Sequence, residues 1–302
     1  AMREGVPAEL PTVALPLAPP NNYAQWNDII AGHEPISDNP SPAADQLALI
    51  CYTSGTTGRP KGVMHTFGST SLPARRMVEE YGIDEHDRVL SYLPLAHVME
   101  RALVECASLY SGAHIYFANT LATFVEDLRR ANPTVFISVP RLWLKFQLGV
   151  FEKIPENRLA MMLKVPLLNR LIRARLLDGL GLRSVRLAGS GSAPIPAELI
   201  SWYDALGLNI LEGYGMSEDF AYSHATQPGM SRAGYVGSPM PGVDVKISDE
   251  GEILIKSPAT MMGYYKQPEL TAECYTEDGY FRTGDRGERD EQGRLKITGL
   301  VK

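Results

Sequence analysis

From Gln46 to Tyr214 the chain alternates two kinds of apolar pattern. Short runs rich in β-branched and aromatic residues (LALICYT, RVLSYLP, HIYFAN, TVFISVP, VRLAGSG and NILEGYG) predict strands, and the longer helix-like stretches between them predict helices. Strands and helices taking turns in this way predict an α/β fold, with a mostly parallel sheet flanked by helices on both faces. After about Gly234 the pattern shortens to VDVKIS, GEILIKS and RLKIT, separated by turn residues such as DEG and DEQG, which predicts a small β-rich subdomain. The opening segment holds VALPLAPPNN and NPSP with one short helical candidate near Tyr23 to Ile30, and reads as a linker or truncated remnant. The expected organisation is therefore a remnant over 1–44, an α/β nucleotide-binding subdomain over 45–233 and a β-rich subdomain over 234–302.

One helical stretch stands apart. Between Arg158 and Arg186, apolar Leu159, Met161, Met162, Leu171, Ile172 and Leu176 alternate with Lys164, Arg170, Arg173 and Arg175. A basic amphipathic helix can rest on an anionic bilayer, so peripheral membrane contact is one expectation. An ordinary helix packed on the sheet with a solvated basic face is the other.

Composition narrows the class. The 302 residues, 44% hydrophobic and 21% charged, suffice for a large α/β core with a smaller appended unit. A net charge of −6 and the absence of long basic runs argue against nucleic acid as a partner. Cys51, Cys106 and Cys274 are odd in number and far apart, which suggests neither a disulfide framework nor a zinc site and agrees with a reducing, cytoplasmic compartment. No run approaches the length of a membrane span.

The densest chemistry is YTSGTTGRPKG, Tyr52 to Gly62, directly after LALIC. The hydroxyls of Thr53, Ser54, Thr56 and Thr57 are donors that can re-aim. Gly55 and Gly58 permit backbone N–H groups to form an anion-binding nest, and Lys61 adds a point charge suited to a phosphate. The Walker-type pattern G-x-x-x-x-G-K-[ST] is absent, because Pro60 and Gly62 stand where it needs other residues. The same Gly/Ser/Thr cluster also fits a solvated turn. EGYGMSED (Glu212 to Asp219) and SGSAP (Ser190 to Pro194) likewise follow strand candidates, and ligands of such sheets gather beyond the carboxyl ends of the strands.

YTSGTTGRPKG resembles the signature loop of the adenylate-forming, AMP-binding superfamily, which contains acyl-CoA synthetases. Three further segments match in the same order: EGYGMSED, GYFRTGDRGE (Gly279 to Glu288) and GRLKITG (Gly293 to Gly299). PLAHVMER (Pro94 to Arg101) and MMGYYKQPELT (Met261 to Thr271) look most like its long-chain fatty acyl-CoA synthetase branch. The resemblance, from about Asp45 to the C-terminus, implies ATP, Mg²⁺ and coenzyme A as cofactor and co-substrates, with a fatty acid as the acid. It implies a Mg²⁺-holding role for Glu218, since a hard cation prefers oxygen. Tyr214 would stack on adenine, beside Gly191, Ser192 and Ala193. Gly215, Met216 and Ser217 would line the nucleotide, and Asp285 would accept from the ribose hydroxyls. Lys61 would meet the departing pyrophosphate, and His97 would lie between acyl carboxylate and nucleotide. His65 and His114 receive no role, and no His/Cys/Asp spacing predicts a transition-metal site.

The implied reaction is fatty acid activation to an acyl-adenylate and then a thioester. A fatty acyl-AMP ligase that delivers to a carrier protein, and a non-catalytic nucleotide-binding scaffold, are the alternatives. The family's further C-terminal domain, with a lysine acting at the α-phosphate, is not matched by this sequence, and Leu300 occupies the hinge position where an arginine usually touches the ribose. The chain thus reads as the central part of a longer enzyme, weak or inactive alone.

Overall fold

The computed structural model describes residues 11–16, 18, 20–37, 40–54, 60–166 and 168–301. The chain forms two compact units, Ala1–Pro42 and Ala43–Lys302. In the first, β1 (Val13–Ala14) pairs in parallel with β2 (Ala24–Gln25), which runs into α1 (Trp26–Ala31).

The second unit opens with β3 (Leu47–Ser54), β4 (Pro60–Thr66) and α2 (Phe67–Tyr81). Next come β5 (Arg88–Ser91), α3 (Val98–Glu100), a π-helical segment Arg101–Cys106 and α4 (Ala107–Ser111). The parallel layer continues through β6 (His114–Phe117), α5 (Phe124–Ala131), β7 (Val135–Ser138), α6 (Pro140–Phe151), α7 (Glu156–Lys164), α8 (Leu168–Leu180), β8 (Leu187–Ser190), α9 (Ala197–Leu206) and β9 (Ile210–Tyr214). After a 3₁₀ turn Ser217–Asp219 follow β10 (His224–Ala225), β11 (Ser238–Pro239), β12 (Asp244–Ile247), β13 (Glu252–Lys256), β14 (Gly263–Tyr264), α10 (Pro268–Glu273), β15 (Phe281–Arg289) and β16 (Leu295–Leu300).

The fold is a mixed α/β architecture with a mostly parallel sheet. Seven strands lie in the order β11-β10-β9-β8-β7-β5-β6, parallel from β9 to β6, with β10 and β11 antiparallel at one edge. Side chains alternate across a strand, so neighbours in sequence feed opposite layers. Leu90, Phe136, Ala188 and Ile210 pack with Phe124, Trp143, Phe146 and Tyr203 of α5, α6 and α9. Val89, Val135, Leu187 and Leu211 pack on the other side, with Val104 of the π-helical segment and Ala113. Trp143, fully buried, centres the aromatic layer, with its ring 5.0 Å from Tyr203 and its Nε1 donating to the Gly189 carbonyl at 3.2 Å. The β-rich part forms a four-stranded antiparallel sheet, β12-β13-β15-β16.

Two elements differ from the sequence expectation. LALICYT is a strand, but it pairs antiparallel with β4, and with β14 makes a separate three-stranded sheet. Only residues 55–59 connect β3 to β4, whereas a parallel partner needs a crossover of roughly a dozen residues or more. The basic amphipathic stretch is two helices, α7 and α8, rather than one. Pro166 lacks an N–H and bars its predecessor from helical angles, and Val165 is accordingly extended at φ −83°, ψ 118°. Among the described residues no helix is long and apolar enough to cross a membrane.

Candidate functional site

The carboxyl ends of β5, β8 and β9 deliver three loops to one crevice. His97 follows β5 and caps α3, its Nδ1 accepting from the Met99 N–H at 3.2 Å. The loop carrying it is pinned by Glu100, buried, which accepts from Ser91 Oγ at 2.5 Å and from the backbone of Leu93 and Tyr92. Burial pushes the Glu100 carboxyl up, against those hydrogen bonds.

Gly191 and Ser192 follow β8. Ser192 takes a left-handed φ of 66°, an uncommon conformation for a non-glycine residue, and Gly191 donates to the Ser138 carbonyl at 3.3 Å. After β9 the chain turns at Gly215, where a Cβ would stand 2.7 Å from Ala221 Cα, so the close approach requires glycine. The following turn is tied from within: Asp219, wholly buried, accepts from the Met216 N–H at 2.8 Å and the Tyr222 N–H at 3.3 Å. Burial raises its carboxyl to about 7. Glu218, beside it, is half-buried.

His65 supports the same turn from below. Its imidazole is fully buried; Nε2 donates to the Ser217 carbonyl at 2.7 Å, and Nδ1 lies 3.3 Å from Ser69 Oγ. Burial lowers its pKa, so the neutral tautomer with the proton on Nε2 satisfies the carbonyl. On β4, side-chain alternation sets Lys61, Val63 and His65 on one face, which carries Lys61 to the same place. Lys61 Nζ donates to Tyr264 Oη at 3.2 Å, and Tyr264 Oη donates to Glu218 Oε1 at 2.7 Å. The Met261 N–H bonds to the Glu218 carbonyl at 2.8 Å. Lys61 and Glu218, 157 positions apart by their numbers, thus meet through one phenol.

A second junction joins Tyr214 to Asp285. Tyr214 Oη donates to Asp285 Oδ2 at 2.6 Å. Burial raises the Asp285 pKa and the Tyr214 bond opposes it; burial also raises the Tyr214 hydroxyl, with Asp285 adding to the effect. Asp285 stands directly across the β15–β16 ladder from Leu300.

Between the sheet and the helices α2 to α4 lies a cavity of about 310 Å³. His97, Gly191, Ser192, Tyr214, Gly215, Met216 and Ser217 line it together. Its remaining wall is largely apolar, from Met77, Tyr81, Ile83, Leu103, Ala107 and Leu211. Glu212 lines it too, accepts from the Gly234 N–H at 3.0 Å, and is raised by burial to about 7. His224 contributes a neutral ring, since burial takes its pKa down to about 3.

The structure therefore gathers the expected residues into two linked groups. Lys61, Glu218 and Asp285 lie outside the cavity wall, and Ala193 is exposed beside it. Thr53 pairs with Lys61 across the hairpin and Ser54 with Pro60. Gly55, Thr56, Thr57 and Gly58 lie outside the described residues. His65, Tyr264, Glu100 and Glu212 received no role from the sequence. The two-residue alternation in PKGVMHT was the available signal for His65; Tyr264 had none beyond its place in MMGYYKQPELT.

The chain is 37% identical over 290 residues to human long-chain-fatty-acid–CoA ligase 1, covering 85% of this chain and 41% of that protein. It is 34% identical over 275 residues to the malonate–CoA ligase of Arabidopsis thaliana, covering 84% and 42%. The chain spans about half the length, or less, of the curated relatives it matches. Among solved structures, the ATP-bound RpMatB–BxBclM chimera B3 superposes with a TM-score of 0.73 at 28% identity, over 91% of this chain and 52% of that one. The inhibitor-bound N-terminal domain of FACL13 from Mycobacterium tuberculosis gives 0.70 at 25% identity, over 92% and 67%. The family model of the AMP-binding enzymes matches residues 7–265, and the chain belongs to that family.

Proposed function

We propose that this chain forms the nucleotide- and acyl-binding core of an ATP-dependent acid–thiol ligase acting on long-chain fatty acids. The observation that carries the reading is one cavity whose wall joins the Tyr214–Ser217 turn, Gly191, Ser192 and His97 to an apolar interior. A nucleotide at the strand ends and an aliphatic chain beneath them would share that space.

In the proposed reaction a carboxylate oxygen of the acid attacks the α-phosphorus of ATP, and pyrophosphate leaves. The sulfur of coenzyme A then attacks the acyl carbonyl, and AMP leaves. The reacting groups are already nucleophilic and electrophilic, so the protein's share is alignment and charge neutralisation. Lys61, with Thr53, Ser54 and the Gly55–Gly58 stretch, would hold the departing phosphates. Asp285 would exchange its Tyr214 partner for the ribose hydroxyls, leaving the Tyr214 ring for the adenine, beside Gly191, Ser192 and Ala193. His97 would steer the carboxylate.

The site chemistry fits Mg²⁺ carried in on the triphosphate. Among the described residues no group of three His, Cys, Asp or Glu could cage a metal, but Mg²⁺ uses one or two carboxylates and otherwise phosphates and water. Glu218 supplies that carboxylate, with one oxygen oriented by Tyr264. Bound there, the ion would neutralise charge on the leaving pyrophosphate.

Calorimetry with MgATP and with a non-hydrolysable dodecanoyl-adenylate analogue tests the reading. The analogue should bind at least tenfold more tightly than ATP, and Lys61→Ala should weaken ATP. Folded protein giving no heat with either ligand at millimolar concentration would end the proposal. Leu300, facing Asp285 without a donor, favours a second reading, nucleotide binding without turnover. Binding of the analogue with no pyrophosphate release by the parent enzyme for any acid would select it.

A further inference from the structure

The face of the parallel sheet that carries α5, α6 and α8 holds a second and larger cavity, of about 610 Å³. Phe124, Leu142, Phe146, Val150, Leu176 and Leu180 provide its apolar wall. It lies on the opposite side of the sheet from the cavity beside Tyr214: Phe124 and Phe146 belong to the layer under Leu90 and Phe136, whereas Ile137 and Leu187 line the first cavity.

Its charge is one-sided. Arg129, Arg141, Lys145, Lys153 and Arg175 contribute to the lining, and among the described residues no Asp or Glu does. Among the described residues Arg141, Lys145, Lys153 and Arg175 form no ion pair. Among the described residues Arg129 donates to the Gly179 carbonyl of α8 and forms no ion pair. In a chain of net charge −6, five cations around one apolar hollow stand against the overall balance. Long basic side chains do cover apolar surface with their stems. That habit accounts for the rim; the hollow beneath it is open to solvent on one side, with Leu121 and Val125 exposed at its edge.

We propose that this cavity is a binding site for one long-chain anionic amphiphile, with the aliphatic chain along Phe124, Phe146 and Leu180 and the anionic head among Arg141, Lys145, Lys153 and Arg175. The volume falls within the roughly 300–1,000 Å³ of pockets that enclose a single small molecule, which selects a free monomer such as a fatty carboxylate over the surface of a bilayer. Apolar burial supplies affinity, and the unpaired cations select the head. The site is separate from the nucleotide side and holds whether or not the chain is a ligase core.

Gly149 makes the proposal testable. It lines this cavity within α6, and a Cβ added there meets no atom within 4 Å. Gly149→Leu therefore fills the hollow without a backbone clash, and leucine is the better helix former. The 302-residue chain is irradiated with dodecanoate carrying a tail diazirine, below its micellar concentration, and the labelled peptides are mapped. Calorimetry in the Ala107→Phe background, where the first cavity is filled, compares dodecanoate with dodecan-1-ol. Labels are expected on α5, α6 and α8, lost in Gly149→Leu and retained in Ala107→Phe, which fills the other cavity. Dodecanoate should bind at least tenfold more tightly than the alcohol, and the double variant Lys145→Glu, Arg175→Glu should remove that preference. Labels confined to α2–α4 and β8–β9, labels on α6 that survive Gly149→Leu, or equal affinity for the alcohol would each overturn it. So would binding to phosphatidylglycerol vesicles without binding of the monomer, which would make the region a membrane face instead.

Discussion

Tyr264 places one hydroxyl between a cation and an anion. It accepts from Lys61 and donates to Glu218, so its orientation is fixed by its neighbours. Its ring is buried in the β-rich cluster and would remain in place in Tyr264→Phe. Hydrogen bonds to charged groups contribute about 1.5–3 kcal/mol to stability, so this variant should be less stable by up to about that amount and, with Lys61 and Glu218 no longer oriented, bind MgATP more weakly with a raised Mg²⁺ requirement. Titrations at several Mg²⁺ concentrations check it; parallel behaviour of variant and parent at all of them would reduce Tyr264 to packing. Glu212 gives a pH prediction. Burial holds its carboxyl at about 7, against 4.5 when free. Between those values the folded chain keeps a proton the unfolded chain has released, so stability falls as pH rises through the window. Glu212→Gln removes the loss and keeps an acceptor for Gly234. It should match the parent below pH 4.5 and exceed it at pH 8 by about 2–3 kcal/mol. His224 works in the opposite sense, because its folded value near 3 lies below the free 6.5. Asp219, raised to about 7, loses stability in the same window, so the difference between Glu212→Gln and its parent in thermal unfolding, followed from pH 4.5 upward, isolates Glu212.

At the scale of elements, strands announced themselves and their partners did not. RVLSYLP, HIYFAN, TVFISVP, VRLAGSG and NILEGYG contain β5 to β9, because β-branched runs between helical stretches carry a local signal. LALICYT carried the same signal yet belongs to a hairpin, since periodicity reports a strand's faces and not its neighbour. PKGVMHT is not among the sequence's strand candidates, although it forms β4 and its alternation sets the face that carries His65. The contacts Lys61–Tyr264 and His65–Ser217 span 203 and 152 positions, beyond any local pattern. The two-helix break, by contrast, was present in Pro166. Gly215 shows how an element end serves the site. Gly215→Ala would press on the Ala221 backbone and displace the Ser217–Asp219 turn. Overpacking of this kind costs roughly 1–3 kcal/mol. ATP affinity should fall further than stability does, as measured by calorimetry beside thermal unfolding; a stability loss with ATP binding intact would detach that turn from the nucleotide.

At the scale of the whole molecule, a single sheet separates two cavities, and its strand ends collect the loops that line the first. That cavity passes from the Tyr214 turn to the π-helical segment and α4, where Leu103 and Ala107 form its wall. π-Helical turns insert an extra residue and often mark functional sites. Here Leu103, within that segment, contributes to the cavity wall. Ala107 is buried and lines the cavity, so Ala107→Phe would take volume from it at an overpacking cost of roughly 1–3 kcal/mol. Ala107 belongs to α4, in the apolar part of the wall rather than in the Tyr214–Ser217 turn, so MgATP should bind as before. If the acyl chain runs there, affinity for acyl-adenylate analogues should fall steeply for hexadecanoyl, less for dodecanoyl and scarcely for butanoyl, read by calorimetry across the series. A loss independent of chain length would point to a displaced nucleotide turn, and no loss at any length would put the acyl chain elsewhere in the molecule.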